Sequence, residues 1–254
     1  MCRHFCYLGE PVALSDLLLR PPHSLVVQSY APQDMRGAGT VNADGFGVGW
    51  FDGSPQAARY RRAIPIWQDS ALPELAGRTV ATAVLAAVRN ATVGMPVIET
   101  AAAPFTDGRW LFSLNGRIDG WPDTAVELAE GLPRREVLTM EAPTDAALLW
   151  LLLRHRLAAE GADPATVLGD LVAEVLATAP DSRLNLLLTD GQRAYASTHT
   201  HSLWFDSGPE SVLIASEPFD DSPGWQQISD GQLVTARVGA VDVRPLPPAA
   251  PRPG

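Results

Sequence analysis

Residues 81–89, ATAVLAAVR, form a nearly unbroken apolar run. That is the pattern of a strand covered on both faces. Residues 2–8 alternate instead, and read as a short, partly buried strand at the very start of the chain. GFGVGWFDG at 45–53 and ARYRRAIPI at 58–66 read as a hairpin, and GRWLFSLNG at 108–116 as a further strand ending in Asn-Gly. Helical patterns cover 14–19, 123–130, 144–160 and 164–178. The third of these opens on Thr-Asp, a capping pair, and ends before Gly161. Strands then return at 183–189, 192–198, 202–206, 211–216 and 231–245.

Strands, then central helices, then strands is not the βαβ alternation of a doubly wound sheet. It predicts an α+β chain of two mostly antiparallel sheets with helices outside them. No internal repeat interrupts this order. Residues 2–245 read as a single domain and 246–254, rich in proline, as a disordered tail.

Composition narrows the class. A hydrophobic fraction of 46% over 254 residues is that of a globular protein with a substantial core. The net charge is −10, and all nineteen basic residues are arginine. This balance argues against a nucleic-acid backbone as partner, although not against a local anion site. No run approaches the roughly 20 apolar residues of a membrane helix. No charged region followed by an apolar run marks a signal peptide, so the expected location is the cytoplasm. Two cysteines and scattered histidines give neither a disulfide framework nor metal-ligand spacing, and no metal or cofactor is expected. A homo-oligomer is left open.

Both cysteines fall in the first six positions. Removal of Met1 would give Cys2 a free α-amine beside its thiol. The amine titrates near 8 and the thiol near 8.5, so the amine can take the thiol proton. Read alone, Cys2 is equally well an inert strand cysteine. Cys6, on the same face by alternation, lacks the amine and reads as core. Arg89 ends an apolar strand, where it must either pair structurally or hold a substrate carboxylate. Asn115-Gly116 reads first as a turn, but an amide NH2 beside a backbone N–H is also an oxyanion hole. Asp145 is explained by the helix start, or else binds an ammonium.

Taken in order, Cys2, DGFGVGW at 44–50, Arg89 with Thr92, PF at 104–105, Asn115-Gly116, Asp145 and ASEP at 215–218 resemble the class II, N-terminal nucleophile, glutamine amidotransferases. Within that family MCRH, PPHSLVVQSYAP, VNADGFGVGW, ARYRRAIPIW and AAAPFTDGRWLFSLNG are most similar to the amidohydrolases of ergothioneine biosynthesis. These remove a γ-glutamyl group from γ-glutamyl-hercynylcysteine sulfoxide.

The resemblance implies a four-layer αββα sandwich and a γ-glutamyl thioester on Cys2. It also implies an oxyanion hole from Asn115 and Gly116, a carboxylate clamp from Arg89 and Thr92, and an ammonium partner in Asp145. Ala87, Val93, Ala102 and Leu114 stand where many relatives carry polar residues, which implies a pocket reshaped for a bulkier leaving group than ammonia. On the leaving-group side Arg117 is a candidate for the sulfoxide or a distal carboxylate. Tyr30, Trp67, Phe112 and Trp121 are candidates for a trimethylammonium. A glutaminase subunit feeding ammonia to a separate synthetase is the alternative enzyme. A binding protein that has kept the fold is disfavoured by the complete set of site residues.

Overall fold

The computed structural model describes residues 2–36 and 41–249. The strands before the central helices are β1 (Arg3–Ala13), β2 (Phe46–Phe51), β3 (Ala58–Arg62), β4 (Val80–Val88), β5 (Phe105–Thr106) and β6 (Leu111–Arg117). Those after them are β7 (Arg183–Thr189), β8 (Ala194–Thr198), β9 (Trp204–Ser207), β10 (Ser211–Ala215), β11 (Gln226–Gln227), β12 (Gln232–Arg237) and β13 (Ala240–Pro245). The helices are α1 (Leu14–Leu18), α2 (Leu25–Gln28), α3 (Leu72–Arg78), α4 (Asp123–Ala129), α5 (Arg134–Leu138), α6 (Asp145–Leu157) and α7 (Pro164–Thr178).

One sheet runs β11-β9-β10-β1-β4-β2-β3 and the other β13-β12-β8-β7-β6-β5, with antiparallel pairing throughout. The chain therefore passes between the sheets three times, and both halves of the sequence contribute to each sheet.

Strand periodicity explains the layering. In β1, Cys6 and Leu8 point into a cluster with Leu85, Leu187, Ile214 and Val234, which fills the space between the sheets. Phe5 and Tyr7, on the other face, pack with Leu14, Leu18, Leu25 and Leu72 of the three short helices. On the second sheet Phe112, Leu184, Leu186 and Leu188 meet Leu149, Leu153, Leu168 and Leu171 of the long helices α6 and α7. Three apolar interfaces separate four layers in the order helix, sheet, sheet, helix, as expected. Close approach of the sheets is built into β2: a Cβ at Gly49 would lie 2.5 Å from Leu111 Cδ2 of β6.

Some details differ from the sequence reading. Residues 231–245 form two strands, because Gly239 at φ +75° turns the chain between β12 and β13. Asn115 and Gly116 are not a turn. β6 continues to Arg117, paired residue by residue with β7. The segment expected to fray begins with residues that pack. Leu246 donates its N–H to Gly231 O at 2.9 Å and rests against the core beneath α7, and Pro247 lies against Gly169. Residues 250–254 of that segment lie outside the described residues. No helix among those described is long and apolar enough to cross a membrane.

Candidate active site

β1 and β4 are neighbours in the first sheet, and their ends bring Cys2 close to Arg89. The Cys2 Sγ lies 3.9 Å from Asn90 O. Met1 falls outside the described residues. From Cys2 two clefts open, sharing Cys2, Asn90, Thr92 and Gly116 in their walls. The first, of about 470 Å³, also takes in Arg89, Leu114 and Asp145. The second, of about 910 Å³, is bordered by Arg117, Arg183 and His201. The structure thus gathers Cys2, Arg89, Thr92, Leu114, Gly116, Arg117 and Asp145 around one thiol.

Asp145 opens α6, whose N-cap Thr144 accepts from Ala147 N at 3.3 Å. Its carboxylate takes the N–H of Ile118 at 3.1 Å and that of Ala146 at 2.7 Å, tying the helix start to the end of β6. Burial dominates its titration. The pKa is raised from 3.8 to about 6, against the opposing pull of these N–H groups and of Arg89. A carboxylate held this way is short of positive partners. Arg89 donates to Pro96 O at 2.8 Å, and among the described residues no carboxylate lies within ion-pair distance of it. The structural ion pair open to Arg89 in the sequence reading is therefore not made. An unpaired guanidinium and a desolvated carboxylate in one cleft match the two charges of an amino acid.

Gly116 sits at φ +155°, and a Cβ there would lie 1.9 Å from Arg183 O, so no other residue fits. Asn115 is different. Its side chain is fully buried, with Nδ2 3.5 Å from Ser216 Oγ and Oδ1 without a partner among the described residues. It stands behind the wall that Leu114 and Gly116 present and lines neither cleft.

Cys6 is core, its thiol pushed up to about 12 by burial. Phe112 is equally buried, stacked on Trp150, and Trp121 packs on the same core. Tyr30 and Trp67 form an exposed edge-to-face pair. None of these four aromatics lines either cleft, so the aromatic candidates for a cation are not supported.

Sequence reasoning missed a buried charged network beside Cys2. Arg3 Nη2 bonds Glu217 Oε1 at 2.7 Å, and His23 Nε2 meets Glu217 Oε2 at 2.7 Å. Gln33 N donates to the same oxygen at 2.8 Å. Arg3 also donates to Asp34 O at 2.7 Å, so the residue after Cys2 is clamped from two sides. The available signal was an arginine inside an otherwise apolar strand, and the glutamate of ASEP. On the inner face His4 Nδ1 meets Ser113 Oγ at 3.1 Å, and burial lowers its pKa to about 3. No group of three or more His, Cys, Asp or Glu among the described residues is placed to hold a metal ion.

Comparison with known proteins places the chain in a family. The family description Glutamine amidotransferases class-II matches residues 17–209. The Gamma-glutamyl-hercynylcysteine sulfoxide hydrolase of Mycolicibacterium smegmatis is 42% identical over 250 residues, covering 97% of this chain and all of that one. The protein of the same name from Mycobacterium tuberculosis is 40% identical over 92% of each chain. Among solved structures, a glutamine aminotransferase class-II domain protein from Silicibacter pomeroyi superposes with a TM-score of 0.70 at 22% identity, covering 97% of this chain and all of that one. The glutamine phosphoribosylpyrophosphate amidotransferase of Bacillus subtilis gives 0.68 at 14% identity, over 97% of this chain and 49% of that one. The chain belongs to the class II glutamine amidotransferases.

Proposed function

We propose that this protein hydrolyses the γ-glutamyl amide of γ-glutamyl-hercynylcysteine sulfoxide, yielding glutamate and hercynylcysteine sulfoxide in ergothioneine biosynthesis, in the cytoplasm. The observation that carries the reading is the pairing of unneutralised Arg89 with desolvated Asp145 on one side of Cys2. Full-length identity of 42% to a hydrolase bearing that substrate's name directs it to this amide rather than to glutamine.

Once Met1 is removed, the α-amine of Cys2 accepts the thiol proton and Sγ attacks the γ-carbonyl carbon. Arg89 and Thr92 hold the glutamyl α-carboxylate, and Asp145 holds the α-ammonium. The tetrahedral oxyanion is met by the N–H of Gly116 at the cleft wall; the Asn115 amide, buried behind that wall at 3.5 Å from Ser216 Oγ, would have to turn into the cleft to join it. The α-ammonium of Cys2 returns the proton to the leaving nitrogen as the C–N bond breaks. A thioester remains on Sγ. Water, deprotonated by the same amine, adds to the thioester carbonyl, and glutamate leaves with Sγ regaining its proton. Thiol, amine and water complete the balance, so the chemistry calls for no cofactor.

The test is glutamate release from γ-glutamyl-hercynylcysteine sulfoxide and from glutamine on one preparation. A kcat/KM at least tenfold higher for the sulfoxide supports the reading. A preference for glutamine overturns it and moves the protein to ammonia supply. Cys2→Ala is expected to abolish release from both substrates, and residual turnover above about 1% of the parent would remove Cys2 as nucleophile.

A further inference from the structure

Arg117 and Arg183 are register partners across β6 and β7. Directly opposed residues of an antiparallel pair leave the same face, and like charges placed so weaken the sheet. Both line the second cleft. Arg117 is tethered to Asp119 at 2.9 Å, whereas Arg183 has no ion-pair partner among the described residues. His201 borders the same cleft while only 3% exposed, and its Nδ1 is buried with no partner among the described residues. Its pKa is lowered to about 4, first by burial and then by Arg183, so at neutral pH it is an uncharged ring. A chain of net charge −10 thus gathers two guanidiniums at one wall, starting from the nucleophile, with an uncharged imidazole beside them. Such a wall is complementary to an anion.

We infer that Arg183, with Arg117 and His201, forms a subsite for the α-carboxylate of the leaving amine. The placement rests on the proposed function, in which the glutamyl half fills the first cleft and the leaving half must enter the second. Every γ-glutamyl derivative of an α-amino acid carries this carboxylate one carbon from the scissile nitrogen. Ammonia, the leaving group of glutamine, carries none. The subsite therefore separates amino-acid amides from glutamine at the position nearest the broken bond, independently of what lies further out.

γ-Glutamylglycine and γ-glutamylglycinamide differ only in that carboxylate, and their kcat/KM ratio reads the subsite directly. A charge-assisted contact predicts a ratio of roughly ten to one hundred for the unmodified protein. Arg183→Gln brings the ratio towards one, and Arg183→Lys leaves it between. Because both substrates are measured on one preparation, the ratio does not depend on how much of a variant is folded. Where turnover is slow, the Kd values of the same two compounds for the Cys2→Ala protein give the same ratio. A ratio near one in the unmodified protein, or one unchanged in Arg183→Gln, overturns the subsite. A full carboxylate preference without turnover of the sulfoxide substrate would overturn the hercynyl assignment and leave the subsite standing.

Discussion

Replacing Asp145 by asparagine separates what this carboxylate costs the empty protein from what it contributes to binding. Its pKa is about 6 rather than 3.8, so the folded state holds the proton more tightly than the unfolded chain. Between about pH 4 and 6 the folded state binds more protons, and the free energy of unfolding falls as pH rises through that window. At about 1.4 kcal/mol per pH unit, the empty site above pH 6 carries about 3 kcal/mol of unfavourable burial. In the proposed function a substrate ammonium relieves it.

Asp145→Asn removes this slope. It also replaces one acceptor by an amide NH2 facing the N–H of Ile118 or Ala146, at a pH-independent cost of about 1–3 kcal/mol. Urea unfolding from pH 4 to 8 should therefore show the parent losing stability relative to the variant as pH rises to 6, and no further divergence above. In a Cys2→Ala background, calorimetry with L-glutamate should show roughly ten- to hundredfold weaker binding for Asp145→Asn at pH 7.5. The gap should narrow about tenfold by pH 5, where only about a tenth of Asp145 is ionised. A gap that stays constant across this range would refute the ammonium role and the burial argument together.

Two further outcomes follow from the geometry. Glu217→Gln leaves Arg3 buried opposite a neutral amide, which should cost about 3–5 kcal/mol in urea unfolding, and a loss below 1 kcal/mol would mean the network is relieved elsewhere. Gly116→Ala places a Cβ against Arg183 O in a backbone region alanine rarely adopts. Folded, active protein from that variant, with an unchanged melting temperature, would show that β6 and β7 can part at this point.

Much of the fold was legible because its long elements carry strong periodicity. α6, α7 and β4 lie within a few residues of where apolar spacing put them. The helices α2, α3 and α5 were not legible. α2 and α3 bury only two residues each and α5 none, so no apolar face repeats along them. In the site, Cys2, Arg89 and Asp145 stood out because each was odd for its element: a thiol at the chain start, a charge ending an apolar strand, an acid at a helix cap. Arg183 and His201 carried no such mark. Arg183 enters the second cleft through register with Arg117, sixty-six positions away, and only the paired strands reveal it. Asn115 misled in the other direction, since Asn-Gly within a paired strand looks in sequence like the end of one.

β1, which follows directly on Cys2, has one neighbour from the near part of the chain and one from the far part. β1 lies between β4 and β10, and the bonds that join Ser216 to His4 span 212 residues. Without residues 211–217, β1 has an open edge and Arg3 lacks Glu217. The walls of both clefts come from other segments, so the strand that completes the sheet fixes β1 without itself lining the space around the thiol.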